Sequence, residues 1–326
     1  PVCSGPYRIS SGDQGRYRLV RGPGARGGYS QEITVVDYPC DNDAFEAFKA
    51  GAVQVAPVPE ARVEEAQTQD VYQRSAGLDV TLLSFDVSKP ATADPRLRQA
   101  ISLALDRLLV IDAAYGDKRQ PAAGWLGDTV AAETAPACSQ HVRRIADAPK
   151  AKEIFSGMNL DPATVALPLI FDERTVGRFV PQAIAIQAKD ALGIQLQPQP
   201  MDPEAFEESV RTRAKPAIWI LSVPVSLPTP DEAVGSLFHS GSPGNRLGFS
   251  SPEIDSVIDR ARKAASREEA ARLWAGAEDA VCGQMPSIPL WRTVHHWITD
   301  PSKVTVEGSG LVDLTGSPVL RNVRRG

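Results

Sequence analysis

Polar and apolar residues alternate near the start of the chain. Tyr7, Ile9, Tyr17, Leu19, Ile33 and Val35 recur at two-residue steps among polar neighbours. Successive side chains of a strand point to opposite faces, so this stretch predicts short strands with one apolar face. Gly22 to Gly28, with its Gly-Pro and Gly-Gly steps, reads as a flexible turn. The period then changes. Phe45 and Phe48 are spaced for a helix over Asp43–Ala50 that Gly51 can end. A strand is expected over Val53–Val58, and an apolar one over residues 81–87, before Lys89-Pro90 breaks it. The clearest helix follows. Asp94 suits its N-cap and Pro95 its first position, and Leu97, Ile101, Ala104, Leu105, Leu108 and Ile111 line one face. Residues 117–146, rich in Ala, Gly and Pro, read as irregular.

Beyond them strand and helix patterns alternate. The reading is helix Pro149–Phe155, strand Val165–Phe171, helix Arg178–Leu192 ended by Gly193, and strand Ile194–Pro198. Helix Asp202–Arg213, with Pro203 just inside it, and strand Ala217–Val223 complete the series. Helices Ser251–Ala265 and Arg267–Val281 come next, and strand-like alternation returns at Val304 and Val306. This order predicts an α/β domain. A length of 326 residues accommodates two domains, or one domain and part of another.

Composition narrows the function classes. With 42% hydrophobic and 23% charged residues the chain can bury a core. A net charge of −5 makes it a poor counterion for phosphate backbones, and the basic runs Arg143-Arg144 and Arg321 to Arg325 are short, so no nucleic acid is expected. No run approaches the ~20 apolar residues of a membrane-spanning helix. The chain opens at Pro1 without a leader, which reads as a processed product or a fragment. Cys3, Cys40, Cys138 and Cys282 form no C-x-x-C pair, and His141, His239, His295 and His296 lack zinc spacing, so neither metal nor cofactor is expected. An even cysteine count without a metal pattern suits disulfides in an oxidising compartment. Hydrolase, kinase and metalloprotease motifs are absent. Glu207-Glu208 and Glu268-Glu269 read as solvated helix faces, and His295-His296 would point to opposite faces of a strand. No enzyme is expected.

Five segments in order resemble a known family. Ser4-Gly5-Pro6-Tyr7 is similar to T-G-P-Y. Ala44-Phe45 through Phe48-Lys49-Ala50-Gly51 is similar to A-x-x-x-G-x-x-D, with Gln54 where an acid is usual. Asp94-Pro95-Arg96-Leu97-Arg98-Gln99-Ala100-Ile101, continuing to Ala104-Leu105-Asp106-Arg107, resembles D-x-R-V-R-Q-A-I-x-x-A-I-D-R. Asn245 with Phe249-Ser250-Ser251-Pro252-Glu253-Ile254-Asp255 resembles N-x-x-x-Y-S-N-P-E-x-D, and Met285-Pro286-Ser287-Ile288-Pro289-Leu290 resembles E-x-x-P-x-I-P-L. These are motifs of the family 5 extracellular solute-binding proteins, the dipeptide and oligopeptide receptors of ABC transporters.

The resemblance implies a two-lobed α/β fold of the type II periplasmic-binding-protein kind, with the N-terminal part of the first lobe missing. Residues 1–88 would form part of the first lobe, 89–296 the second, and 297–326 a return segment, with hinge strands near 84–90 and 294–302. The pairings Cys3–Cys40 and Cys138–Cys282 are favoured, because each then lies within one expected domain. The implied function is capture of a peptide-like or other polar ligand in an interlobe cleft, by an extracytoplasmic monomer serving an ABC permease. Where peptide receptors keep acids for the ligand's amino terminus, this chain has Ser226 and Thr229, with Asp231 one residue late as a helix cap. The expected ligand set is Trp219 for stacking, Ser226 and Thr229 as neutral hydrogen-bond partners, and Arg174 or Arg178 for an anionic group. Arg178 also falls near an expected helix N-terminus, which favours anions. Cys3, the extra cysteines and the neutral stretch resemble actinobacterial lipoproteins of the LpqW type. That implies the alternative of a lipid-anchored scaffold with a cell-envelope biosynthetic partner, in lipoglycan (phosphatidylinositol mannoside) synthesis.

Overall fold

The alternating stretch folds as an antiparallel sheet of β1 (Tyr7–Asp13), β2 (Arg16–Arg21) and β3 (Glu32–Val36). Ile9 lies opposite Leu19, and Leu19 opposite Ile33, so the apolar positions share one face. The structure, a computed structural model, describes residues 6–22, 30–69, 72–126, 138, 140–213, 218–225, 229–306 and 323–325. Its chain divides into two units, Pro1–Gly77 with Val294–Gly326, and Leu78–Thr293.

In the first unit, α1 (Asp41–Lys49), β4 (Val55–Pro57) and α2 (Val63–Gln67) gather around Phe45, which is fully buried with Val63, Ala66 and Ile298. Arg62 lies 5.1 Å from the Phe45 ring centroid and pairs with Glu46 and Glu65. Exposed pairs of this kind add little stability. Cys40 precedes α1 as a free, exposed thiol, and Cys3, its expected partner, lies outside the described residues.

The chain leaves this unit within β5 (Tyr72–Phe85), a strand that begins well before the expected residue 81. The helix expected over 94–111 is two helices, α3 (Pro95–Ala104) and α4 (Arg107–Tyr115). Leu105 is extended, and the Asp106 carboxylate accepts the Leu109 N–H at 2.8 Å. Asp106 is thus a second N-cap, which splits a run whose apolar spacing is unbroken. β6 (Arg119–Pro121) and α5 (Ala148–Ser156) precede the regular core of the second unit. That core is β7 (Ala166–Asp172), α6 (Glu173–Val176), α7 (Phe179–Leu192), β8 (Gln195–Met201), α8 (Pro203–Thr212) and β9 (Ile218–Val223). α7 ends where expected, with Gly193 in the left-handed region at φ 76°, a conformation that a Cβ disfavours. β7 is almost wholly buried, as its near-continuous apolar run requires of a central parallel strand. β8 is the edge strand and carries Pro198 and Pro200, residues a central strand excludes. α9 (Ser236–Phe238), α10 (Pro252–Arg262) and α11 (Arg267–Gln284) follow. β10 (Ser287–Thr299) then leads back into the first unit, where β11 (Val304–Val306) pairs with β12 (Val323–Arg325). Within that unit, buried His296 meets the Tyr72 hydroxyl through Nδ1 at 2.5 Å.

Two arginines of the family-like segments are buried in the second unit and bind carbonyl oxygens. Arg98 donates to Thr92, Ala93, Gln284 and Met285, and Arg107 to Ala122, Arg143 and Pro289. Burial pushes each guanidinium down to about 10. Segments 94–107 and 285–290, which carry the resemblance, are therefore held to each other. Asn245 bridges its own loop by donating to His239 and Phe249 carbonyls. Cys138 and Cys282 are disulfide-bonded, with Cα atoms 5.4 Å apart.

Candidate ligand-binding site

In an open α/β sheet the loops from two adjacent parallel strands diverge where the strand order reverses. The divergence leaves a crevice at the strands' carboxyl ends. Here β7 pairs in parallel with both β8 and β9, giving the order β9-β7-β8. The chain visits β7, then β8, then β9, so the reversal falls between β7 and β9. The segments following Asp172 and Val223 flank it.

After β7, the nearly buried Asp172 carboxylate accepts the Arg174 N–H at 2.9 Å and turns the chain into α6. Arg174 and Arg178 are both exposed. Arg178 is the N-cap of α7, and its guanidinium pairs with Glu173 through Nε–Oε1 and Nη2–Oε2, the latter 2.9 Å. That partner holds the Glu173 carboxyl below the usual carboxylate range. The Arg174 guanidinium has no hydrogen-bond or ionic partner among the described residues. An open hollow of about 660 Å³ lies between Glu173, Arg174 and Arg178 on one side and the β8–α8 turn, Pro200 to Glu204, on the other. Asp202 in that turn caps α8 by accepting the Ala205 N–H at 3.0 Å.

After β9, Pro224 has no N–H to offer the ladder. The next N–H, of Val225, donates to the Asp79 carboxylate at 3.1 Å. Ser226 lies outside the described residues. Thr229 is exposed, and its Oγ1 accepts the Glu232 N–H at 3.3 Å, capping the helical turn Asp231–Gly235. The expected cap, Asp231, sits inside that turn and pairs with Arg262 at 2.8 Å. Pro230 takes the first helical position, so the capping side chain is that of Thr229, two residues before Asp231. Trp219 is 1% exposed, opposite Ser84 and Ile170 in the ladders, and belongs to the core. The structure thus sets Arg174 and Arg178 in the segment after β7 and Thr229 in the segment after β9, and leaves Trp219 inside the sheet. Asp79 had no signal in the sequence, because its partner is 146 residues away. Among the described residues no group of three acidic, His or Cys side chains could hold a metal, and no helix is long and apolar enough to cross a membrane.

The family model for bacterial extracellular solute-binding proteins, family 5 Middle, matches residues 1–245. The lipoprotein Rv2585c of Mycobacterium tuberculosis is 26% identical over 305 residues, 89% of this chain and 52% of its own. Among solved structures, the periplasmic murein tripeptide binding protein MppA in its unliganded open form gives a TM-score of 0.83 at 18% identity. The match covers 98% of this chain and 63% of that one. HbpA2 from Haemophilus parasuis gives 0.84 at 16% identity, covering 99% and 64%. The chain spans about half the length of the lipoprotein and under two thirds of both solved chains. The likeness is one of fold, that of the two-lobed periplasmic binding proteins.

Proposed function

Because the chain belongs to the bacterial extracellular solute-binding proteins of family 5, we propose that it captures a peptide-like or other polar organic ligand outside the cytoplasm for an ABC-type permease. The supporting observation is that the segments after β7 and β9 leave the sheet on either side of the strand-order reversal. Arg174 and Arg178 are the anion-binding pair. A guanidinium presents a planar fork that fits a carboxylate bidentately, and Arg178 already adopts that geometry with Glu173. Thr229 accepts a backbone N–H, which leaves its own proton for a ligand acceptor. Ser226 supplies a second neutral group. A thermal-shift screen of the full chain with di- to pentapeptides, amino acids and oligosaccharides tests the reading. At a hundredfold excess over Kd a true ligand stabilises by about 2.7 kcal/mol. The double variant Arg174→Ala, Arg178→Ala should bind a carboxylate ligand about tenfold or more weakly. No stabilisation by any member would sink the proposal.

The match to a mycobacterial lipoprotein over most of the chain supports a second reading. In it the protein is a lipid-anchored scaffold in cell-envelope lipoglycan synthesis. Deleting the gene in the source cell separates the two: altered phosphatidylinositol mannosides with normal solute uptake favour the scaffold.

A further inference from the structure

We infer that the outer edge of β3, with the apolar face beside it, is a docking surface for a strand-bearing segment of further polypeptide of the same protein. One strand of that segment pairs along β3, and the chain joined to it covers the face. Such docking is independent of any ligand.

β3 is the last strand in the order β1-β2-β3. In an antiparallel ladder alternate residues turn their N–H and C=O groups to opposite sides. The Gln31 carbonyl accepts the Arg21 N–H, and the Asp37 N–H donates to the Gly15 carbonyl, so the odd-numbered residues bond inward to β2. Glu32, Thr34 and Val36 therefore turn their backbone groups outward, where they have no partner among the described residues. β3 has no proline, lysine or bulge to close that edge. β1, the opposite edge, is interrupted by a register shift between Ile9 and Ser11.

The sheet also has an uncovered apolar face. Ile9, Tyr17 and Val35 are 66%, 43% and 38% exposed on the side they share with half-buried Leu19 and Ile33. None of the five joins the unit's core around Phe45. A sheet with one apolar face is stable when another layer buries it, and an exposed patch of this kind marks a contact surface.

A second copy is a poor occupant. Three strands at ~4.8 Å and five residues at ~3.3 Å make a face of about 240 Å². Two copies stacked on it would bury about 500 Å² in all, against ~1,200 Å² for a stable pair. A segment joined covalently to the chain needs no such area, because its docking is intramolecular. The lipoprotein and MppA both extend well beyond the part that this chain matches. Both ends of the chain belong to the first unit, so polypeptide continuing from either leaves the unit that holds this sheet. On the added strand, the positions opposite Ile33 and Val35 share the apolar face and should be apolar.

Hydrogen exchange and hydroxyl-radical footprinting test this on the 326-residue chain and on the protein purified from its source cell. In the chain, the amides of Glu32, Thr34 and Val36 should exchange freely and Tyr17 should be oxidised. In the cell-derived protein those amides should exchange about tenfold or more slowly, with Tyr17 shielded. Equal exchange and equal oxidation in the two overturn the inference. Protection already present in the chain, with a sedimentation mass of two copies, overturns it in favour of self-pairing. Thr34→Pro removes one outward N–H and spares the ladder to β2. It should lower the Tm of the cell-derived protein and leave that of the chain unchanged, and equal shifts in both would count against the docking edge. Should Thr34→Pro fail to fold, the wild-type comparison decides.

Discussion

Glu278 is a carboxyl group enclosed by protein. It is 4% exposed on α11, and its Oε1 accepts the N–H groups of Trp125 and Leu126, both at 2.8 Å. A Cβ at Gly124 would stand 2.4 Å from that oxygen, so glycine there makes room for the contact. Burial pushes the Glu278 pKa up, against the pull of the two N–H groups and Arg292. An acid whose folded pKa is raised adds stability that is complete below its unfolded value and is lost as pH rises through the folded one. Wild type should therefore lose stability relative to Glu278→Gln between about pH 4 and pH 7, because the amide keeps the acceptor without the charge. Urea midpoints at the two pH values measure this. A constant difference between the proteins would show that Glu278 titrates alike in the folded and unfolded chains, and would contradict the raised pKa.

Among the elements, the arginine clamps set how the second unit is assembled. Arg98 joins α3 to the α11–β10 junction through carbonyls and not carboxylates. Arg98→Met strands those acceptors in a buried place and should cost about 3–5 kcal/mol in chemical denaturation. Arg98→Lys should recover only part of it, since an ammonium cannot span acceptors on both sides. A loss under about 1 kcal/mol would mean the carbonyls find water. What the sequence disclosed at this scale was local. Asp94-Pro95, Asp202-Pro203 and Gly193 mark helix ends by their own chemistry, and the structure has those ends. The break at Leu105–Asp106 was hidden because the apolar spacing runs straight through it. Asp106 is instead fixed by a distant residue, Gln187, whose side-chain carbonyl accepts its N–H. Asp79 and the burial of Trp219 likewise depend on strand register, which periodicity does not carry.

The two units differ as whole bodies. The core of the first among the described residues is a small cluster around Phe45, while the second has one extended cluster from Val80 to Trp291. Local stability follows the density of buried apolar contacts. Hydrogen exchange should therefore protect α3 and β7 more strongly than α1, and equal protection would contradict that reading. The Cys138–Cys282 bridge, 144 residues apart in sequence, lies wholly within the second unit. Its reduction should cost about 2–5 kcal/mol there and lower that unit's Tm by roughly 5–15 °C. The first unit's exchange pattern should stay unchanged. The prolines of β8 bear on the molecule's dealings with other chains. Pro198 and Pro200 remove donors from the sheet's open margin, so a guest polypeptide cannot extend the sheet there. The open margin is thereby kept from taking up extended chains indiscriminately, and the molecule from polymerising through it.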